Sequence, residues 1–275
     1  MHISFNCNGR LLASDRPIIM GIINLTDDSF YSGSRSGSID VTLQKVEKML
    51  TDGASIIDIG AMSSRPGAKI SSPESELTRL IPTIHTILTE FPDTILSIDT
   101  IHSSVANQCM LAGVSMINDI SAGTYDPSMM NTVSAAGVPY IMMHMQGLPQ
   151  VMQQNPSYKE VTYDVMKYFV GRVAAAQKAG ITDIIIDPGF GFGKTVEHNY
   201  SLLKKLEVFQ IFDLPVMVGL SRKSMIYRPL NIDASQSLNG STALHMYALL
   251  KGASILRVHD VKEAAECIAL SQMLR

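Results

Sequence analysis

The residues able to do chemistry in this chain stand at the ends of short apolar runs. In chain order those ends read Asn24, Asp58, Asp99, Asn118–Asp119, His144, Asp187, Ser221–Arg222–Lys223 and Arg257–His259–Asp260. Asp99, Asn118 and Asp187 suit a flat heterocycle with a donor–acceptor edge, because a carboxylate accepts two adjacent N–H groups and an amide offers both a donor and an acceptor. Arg222, Lys223, Arg257 and His259 form a second set. Arginine presents a planar fork to phosphate oxygens and lysine a compact charge. Helix N-caps account for Asp, Asn or Ser at such places, but not for Lys223, Arg257 and His259 together.

Two other patterns lead nowhere. Gly189–Thr195 (GFGFGKT) ends like a phosphate-binding loop, yet that motif needs glycine at position 188, where Pro188 stands. It reads instead as a turn that lets backbone approach a ligand closely. His85, His102 and His198 lack partners at metal-ligand spacing and read as ordinary histidines. Cys7, Cys109 and Cys267 are odd in number and far apart, as in a reduced cytoplasmic protein without structural zinc.

The elements that must position these groups alternate. The runs Pro17–Asn24, Ser55–Ile59, Thr94–Asp99, Val114–Asn118, Pro139–His144, Asp183–Asp187, Pro215–Leu220 and Ser254–Val258 are apolar at consecutive positions, as in parallel strands covered on both faces. Helical stretches such as Val41–Thr51, Glu74–Glu90, Tyr163–Lys178 and Gly240–Lys251 lie between them, often followed by a glycine placed to end the helix. Eight βα units in about 250 residues predict a closed α/β (β/α)8 TIM barrel, over a doubly wound open sheet. A single domain over residues 1–275 is expected, with 1–16 as a short N-terminal extension. In a barrel all the strand ends meet at one rim. The loops Thr26–Ser38 and Ala61–Ser72, rich in small and polar residues, would close over a substrate there.

Composition narrows the partners. Net charge is −3 and the basic residues are scattered, which argues against a nucleic-acid surface or a polybasic membrane anchor. The first residues lack the basic start and apolar run of a signal peptide. No apolar stretch approaches the roughly 18–20 residues that span a bilayer.

The segments MGIINLTDDSF, GASIIDIGAMSSRPGA, LSIDT, MINDISAG, MMHMQG, DPGFGFGK, GLSRKS and RVHDV occur in an order and spacing that resemble the dihydropteroate synthases across nearly the whole chain. The resemblance implies a barrel that condenses 6-hydroxymethyl-7,8-dihydropterin diphosphate with p-aminobenzoate in folate biosynthesis. By motif, it implies that Asp99, Asn118, Asp187 and Lys223 hold the pterin. Asn24, Arg257 and His259 would hold the diphosphate, with Asn24 also ligating Mg²⁺. Ser64, Arg65 and Pro66 would shape the p-aminobenzoate side together with Ser224. It further implies a cytoplasmic homodimer, with Tyr247, Leu250, Ile268 and Leu270 serving either that interface or the barrel's own packing, and a target for sulfonamides. The chain departs from the family pattern at Asp27, where proline is usual, and at Ala61, Met62 and Ser64, which replace glycine, glutamate and threonine. These changes bear on loop closure and on p-aminobenzoate affinity. The alternatives are a methyltetrahydrofolate-dependent methyltransferase, which would not need a diphosphate cluster, and a non-catalytic pterin-binding paralogue.

Overall fold

Alternation starts at the N-terminus. β1 (Ile3–Cys7) and β2 (Arg10–Ser14) pair antiparallel around Asn8 and Gly9, whose φ angles of 55° and 84° make the turn. The predicted runs then form β3 (Ile18–Asn24), β4 (Ile56–Gly60), β5 (Leu96–Asp99), β6 (Met116–Asp119), β7 (Tyr140–Met143), β8 (Ile184–Asp187), β9 (Met217–Val218) and β10 (Ile255–Val258). This computed structural model describes residues 3–25, 35–62, 70–147, 150, 152 and 156–274, the side chains of 35–38 excepted. The strands form one parallel sheet in the order β8-β7-β6-β5-β4-β3-β10-β9, and a bridge between Ile186 and Val216 joins its two ends. The fold is a (β/α)8 barrel. β9 is shorter than the apolar run Pro215–Leu220 because Pro215 has no N–H to give a ladder; its carbonyl accepts from Ile186 N at 3.1 Å.

The helices are α1 (Arg35–Thr51), α2 (Pro73–Glu90), α3 (Ser103–Leu111), α4 (Met129–Ala136), α5 (Val161–Lys178), α6 (Val196–Lys204), α7 (Ser224–Leu230), α8 (Leu238–Leu250) and α9 (Val261–Gln272). α1 begins at Arg35 rather than Val41, so the end of the expected loop Thr26–Ser38 is helical. Small polar residues are weak helix formers, and their propensity is overridden here. Gly137 ends α4 at a φ of 65°, where its carbonyl-capping turn needs a left-handed residue.

Period-two geometry sorts each strand into a helix-facing and a barrel-facing set. Ile19, Ile23, Ile57, Ile59, Leu96, Ile98, Ile117, Ile184 and Ile186 join the core shared with the helices. The alternate residues Ile18, Met20, Ile56, Met116, Ile141, Ile185, Met217 and Ile255 fill the foot of the barrel. Ile3, Phe5 and Cys7 of β1 close that foot from below. The hairpin is tied on by Asn6 N to Asp183 Oδ2 (2.7 Å) and Arg10 Nη1 to Pro92 O (2.6 Å). One step further along the same inward face, Ile56 gives way to Asp58, Met116 to Asn118, Ile185 to Asp187 and Ile255 to Arg257. The barrel interior is therefore apolar at its foot and charged at its mouth.

Candidate active site

The mouth is organised around a half-buried guanidinium. Arg257 rises from β10 and bonds Asp58 Oδ2 through Nε (2.7 Å) and Nη2 (2.6 Å), while Nη2 also reaches Asp99 Oδ2 (2.8 Å). Asn118 Nδ2 donates to the same Asp58 oxygen at 3.1 Å. Strand register sets Asp99 level with Asn118, while Asp58, level with Ser97, lies one inward step nearer the foot. Across the mouth, Asp187 accepts from Gly189 N at 2.8 Å. Lys223 Nζ donates to Phe190 O and lies 4.7 Å from the centre of the Phe192 ring.

Electrostatics follow from this crowding. Burial raises the Asp99 carboxyl, Arg257 opposes, and the Asp58 and Asp119 charges add to the rise. Burial also raises Asp187, with Lys223 opposing. Burial brings the Lys223 ammonium down to about 8, against the pull of Asp187. For Arg257 burial works against the charge, but Asp58 and Asp99 outweigh it and the net direction is upward. His259 is exposed at the rim, and partial desolvation, then the Arg257 charge, hold its imidazole below the ordinary value.

Of the residues expected to form a site, Asp99, Asn118, Asp187, Lys223 and Arg257 share the mouth. Asn24 is exposed at the end of β3, and Ser224 is half-buried at the start of α7. Ser64, Arg65 and Pro66, like Asp27, lie outside the described residues. Arg257 groups with the carboxylates rather than standing apart with the other cations. The second cation set also divides: Lys223 turns inward, whereas Arg222 pairs with Asp260 through Nε (3.0 Å) and Nη2 (2.6 Å). Asp119 faces the helices instead of the mouth, accepting from Tyr140 Oη (2.6 Å) and from Ser121 and Gly123 N–H groups (both 2.7 Å). A cavity of about 800 Å³ begins at Asn24, Arg222 and His259 and runs outward between α1 and α9, past Lys45, Lys48 and Lys262.

Sequence reasoning places Asp58 and His144 at the rim without a role, and passes over Glu76 and Lys194. Asp58 was visible as the only charge in IIDIG, but nothing in the sequence showed that two other site residues converge on it. Glu76, fully buried on α2, accepts from Thr100 Oγ1 at 2.9 Å just behind Asp99, and burial pushes its carboxyl up to about 7. Lys194 and His144 meet beneath the mouth from segments far apart in the chain, with Nζ 2.9 Å from Nδ1.

Mg²⁺ prefers oxygen ligands and commonly takes few of them from protein when phosphates are present. Asn24 Oδ1 would lie 3.7 Å from a Cβ placed on Gly60, its paired neighbour on β4, and Asp99 Oδ2 3.8 Å from the same point, so the amide sits on the Asp99 side of the rim. Its oxygen is the hard donor such an ion needs. Among the described residues no three His, Cys, Asp or Glu side chains form a closed metal cage. The ion would then take its remaining ligands from substrate and water.

A charged mouth on a (β/α)8 barrel, in which carboxylates and an amide alternate with Arg257 and Lys223, suits an enzyme that binds a polar heterocycle bearing an anionic group. Residues 20–259 match the family model of pterin binding enzymes. The dihydropteroate synthase of Escherichia coli K12 is 42% identical over 262 residues, covering 94% of this chain and 92% of that protein. That of Haemophilus influenzae is 42% identical over 267 residues, covering 96% of each. Among solved structures, the Yersinia pestis dihydropteroate synthase with a sulfonamide drug superposes with a TM-score of 0.91 at 39% identity, covering 100% of this chain and 99% of the other. The Xanthomonas albilineans enzyme with 4-aminobenzoic acid gives a TM-score of 0.92 at 36% identity, covering 100% and 98%. This chain belongs to the pterin binding enzymes and, within them, to the dihydropteroate synthases.

Proposed function

We propose that the mouth binds 6-hydroxymethyl-7,8-dihydropterin diphosphate and p-aminobenzoate and joins them, giving 7,8-dihydropteroate and pyrophosphate. The observation that carries this reading is the buried Asp58, Asp99, Asn118 and Asp187 meeting the half-buried Lys223 and Arg257 at one end of the barrel. Asp99, Asn118, Asp187 and Lys223 hold the pterin, with the acceptors on its N–H edge. Asn24, Arg257 and His259 hold the diphosphate, beside the cavity that carries Lys45, Lys48 and Lys262. Ser64, Arg65 and Pro66 shape the p-aminobenzoate side together with Ser224.

The bond that breaks joins the methylene carbon to a diphosphate oxygen. Its cleavage leaves positive charge on that carbon and in the ring, and the fixed carboxylates Asp99 and Asp187 oppose that charge as it develops. Arg257 meets the departing anion with charge. His259 meets it as an N–H donor. The aniline nitrogen is neutral and nucleophilic at pH 7; it forms the new C–N bond and releases its proton to solvent. When bound, Mg²⁺ at Asn24 supplies further neutralisation of the diphosphate. The work of the protein is to hold both reactants in line, which removes much of the bimolecular entropy cost.

The protein acts in the cytoplasm as a homodimer of single-domain chains, with residues 1–16 an N-terminal extension and sulfonamides competing on the p-aminobenzoate side. Three free, buried cysteines support the reducing compartment. No helix among the described residues is long and apolar enough to cross a membrane.

The test incubates purified protein with dihydropterin diphosphate, p-aminobenzoate and Mg²⁺ and quantifies both products. Pyrophosphate and dihydropteroate should appear in equal amounts and cease on adding EDTA. Binding of the pterin diphosphate without either product would overturn the reading in favour of a non-catalytic paralogue.

A further inference from the structure

The turn after β8 is pinned from inside by a lysine to which the reaction above gives no part. Lys194 is 3% exposed. Its Nζ donates to Gly189 O at 2.8 Å and to Phe192 O at 3.1 Å, and it lies 2.9 Å from His144 Nδ1. Burial, and then the Lys194 charge, hold the His144 imidazole down to about 2. The ring is therefore neutral and Nδ1 can accept, so the three N–H groups of an ammonium are all used. Lys194 is itself brought to about 7 by burial, with Asp187 opposing.

Lys194 acts on this segment together with Gly191 N to Asn199 Oδ1 (2.7 Å), Tyr158 Oη to Gly193 O (2.7 Å) and Phe192 N to Gly189 O (3.2 Å), and it alone joins the Gly189 and Phe192 carbonyls among these bonds. Gly189, Gly191 and Gly193 have φ angles of 72°, 84° and 62°, and glycine loses more conformational freedom on folding than any other residue. A Cβ at Gly189 would run into the His144 carbonyl, so the turn lies directly on the end of β7. On its other side the same turn meets the site. Gly189 N fixes Asp187 Oδ1 at 2.8 Å, and the Phe190 carbonyl and Phe192 ring hold the Lys223 ammonium. A Cβ on Gly191 would lie 3.3 Å from Lys223 Cδ, so backbone here also forms the wall along the Lys223 stem. The protein contacts that orient Lys223 thus come from residues 190–192, and Lys194 holds the carbonyls of the residues that bracket them, Gly189 and Phe192.

We propose that Lys194 is a positioning residue: by tying the Gly189 and Phe192 carbonyls to His144, it places the Lys223 ammonium beside Asp187. The proposal rests on the role given above to Lys223 in holding the pterin substrate.

A double-mutant cycle tests it. Lys194→Met keeps an unbranched apolar stem and removes the N–H groups. It should lower kcat/KM for the dihydropterin diphosphate about tenfold, within the range of couplings measured between interacting residues. Added to Lys223→Ala, it should change kcat/KM by less than about twofold, because the group it positions is gone. An equal loss in both backgrounds, or no loss with Lys223 present, would overturn the positioning role while leaving Lys223 in place. Wild-type kcat/KM in Lys223→Ala alone is a different result, which removes the assignment of Lys223 and this proposal with it. Should Lys194→Met not fold, Lys194→Gln is put through the same cycle. Failure of both to fold makes Lys194 a stability residue and overturns the proposal.

Discussion

Three carboxylates in one barrel mouth repel one another, so each needs a cation within reach. Asp58 and Asp99 share Arg257, and Lys223 faces Asp187. Two consequences can be measured. Asp187→Ala removes a fixed charge that opposes the developing cation, and should lower kcat/KM by about 2–4 kcal/mol in free-energy terms, as at other electrostatic sites. The fold should survive, because Asp187 bonds only a local backbone N–H, and near-normal kcat/KM in the folded variant would remove it from the mechanism. Lys223, brought down to about 8 by burial, is charged below that pH and neutral above it. Substrate binding that needs the ammonium should weaken as pH rises through about 8, seen as an alkaline fall in kcat/KM. Lys223→Arg, which cannot deprotonate in this range, should lose that fall even where its overall rate is lower. Asp99, Asn118 and Asp187 were legible in the sequence because each interrupts an apolar run. Lys194 was not, since its partners come from β7 and from backbone carbonyls, which carry no side-chain signal.

At the scale of elements, the foot of the barrel and its mouth are separate problems solved by the same strands. Ile3, Phe5 and Cys7 seal the foot against Met20, Ile56 and Ile185, on the side away from Asp99 and Asp187. Phe5 is 2% exposed, so Phe5→Ala should cost about 3–5 kcal/mol of stability. Because the site lies at the other end, kcat/KM at a temperature where the variant is folded should stay at the wild-type level. Denaturant titration paired with steady-state kinetics checks both halves, and a lost kcat/KM without lost stability would contradict this separation. All eight barrel strands could be read from the sequence, because a strand buried on both faces is apolar throughout. The start of α1 could not, since Arg35–Ser38 lacks helical patterning and only tertiary context selects it. The hairpin that seals the foot did leave a signal: Asn8–Gly9 between alternating runs is the composition of a tight β-turn. It was read as an extension because a strand pair outside the βα repeat has no place in the barrel pattern.

For the whole molecule, the question left by the fold is what covers the apolar side chains that the barrel does not. Of the four residues with two possible uses, Ile268 is 6% exposed and packs inside its own chain. Tyr247, Leu250 and Leu270 remain 38%, 51% and 60% exposed, and Met273 and Leu274 beside them 85% and 66%. α8 and α9 run side by side, with Cys267 Sγ 3.5 Å from the Thr242 carbonyl, so their C-terminal ends come together. Helices run back against the strand direction in this fold, which puts this apolar group at the foot, away from the mouth. Exposed apolar side chains gathered on neighbouring helices are a common mark of an interface between chains, and a second copy docked there would leave the substrate path open. Light scattering on the eluting protein should therefore give about twice the 30.0 kDa chain mass. Leu270→Asp together with Tyr247→Asp should give a folded monomer, since both side chains contribute little to the barrel's own core and unpaired carboxylates buried at the interface would oppose association. kcat/KM per chain should persist in that monomer, because the α9 residues that line the cavity, Val261–Glu263, lie at the opposite end of the helix from Leu270. A wild-type protein that stays at single-chain mass at tens of micromolar, well above the dissociation constants of stable interfaces, would show that the exposed group serves something other than a second copy.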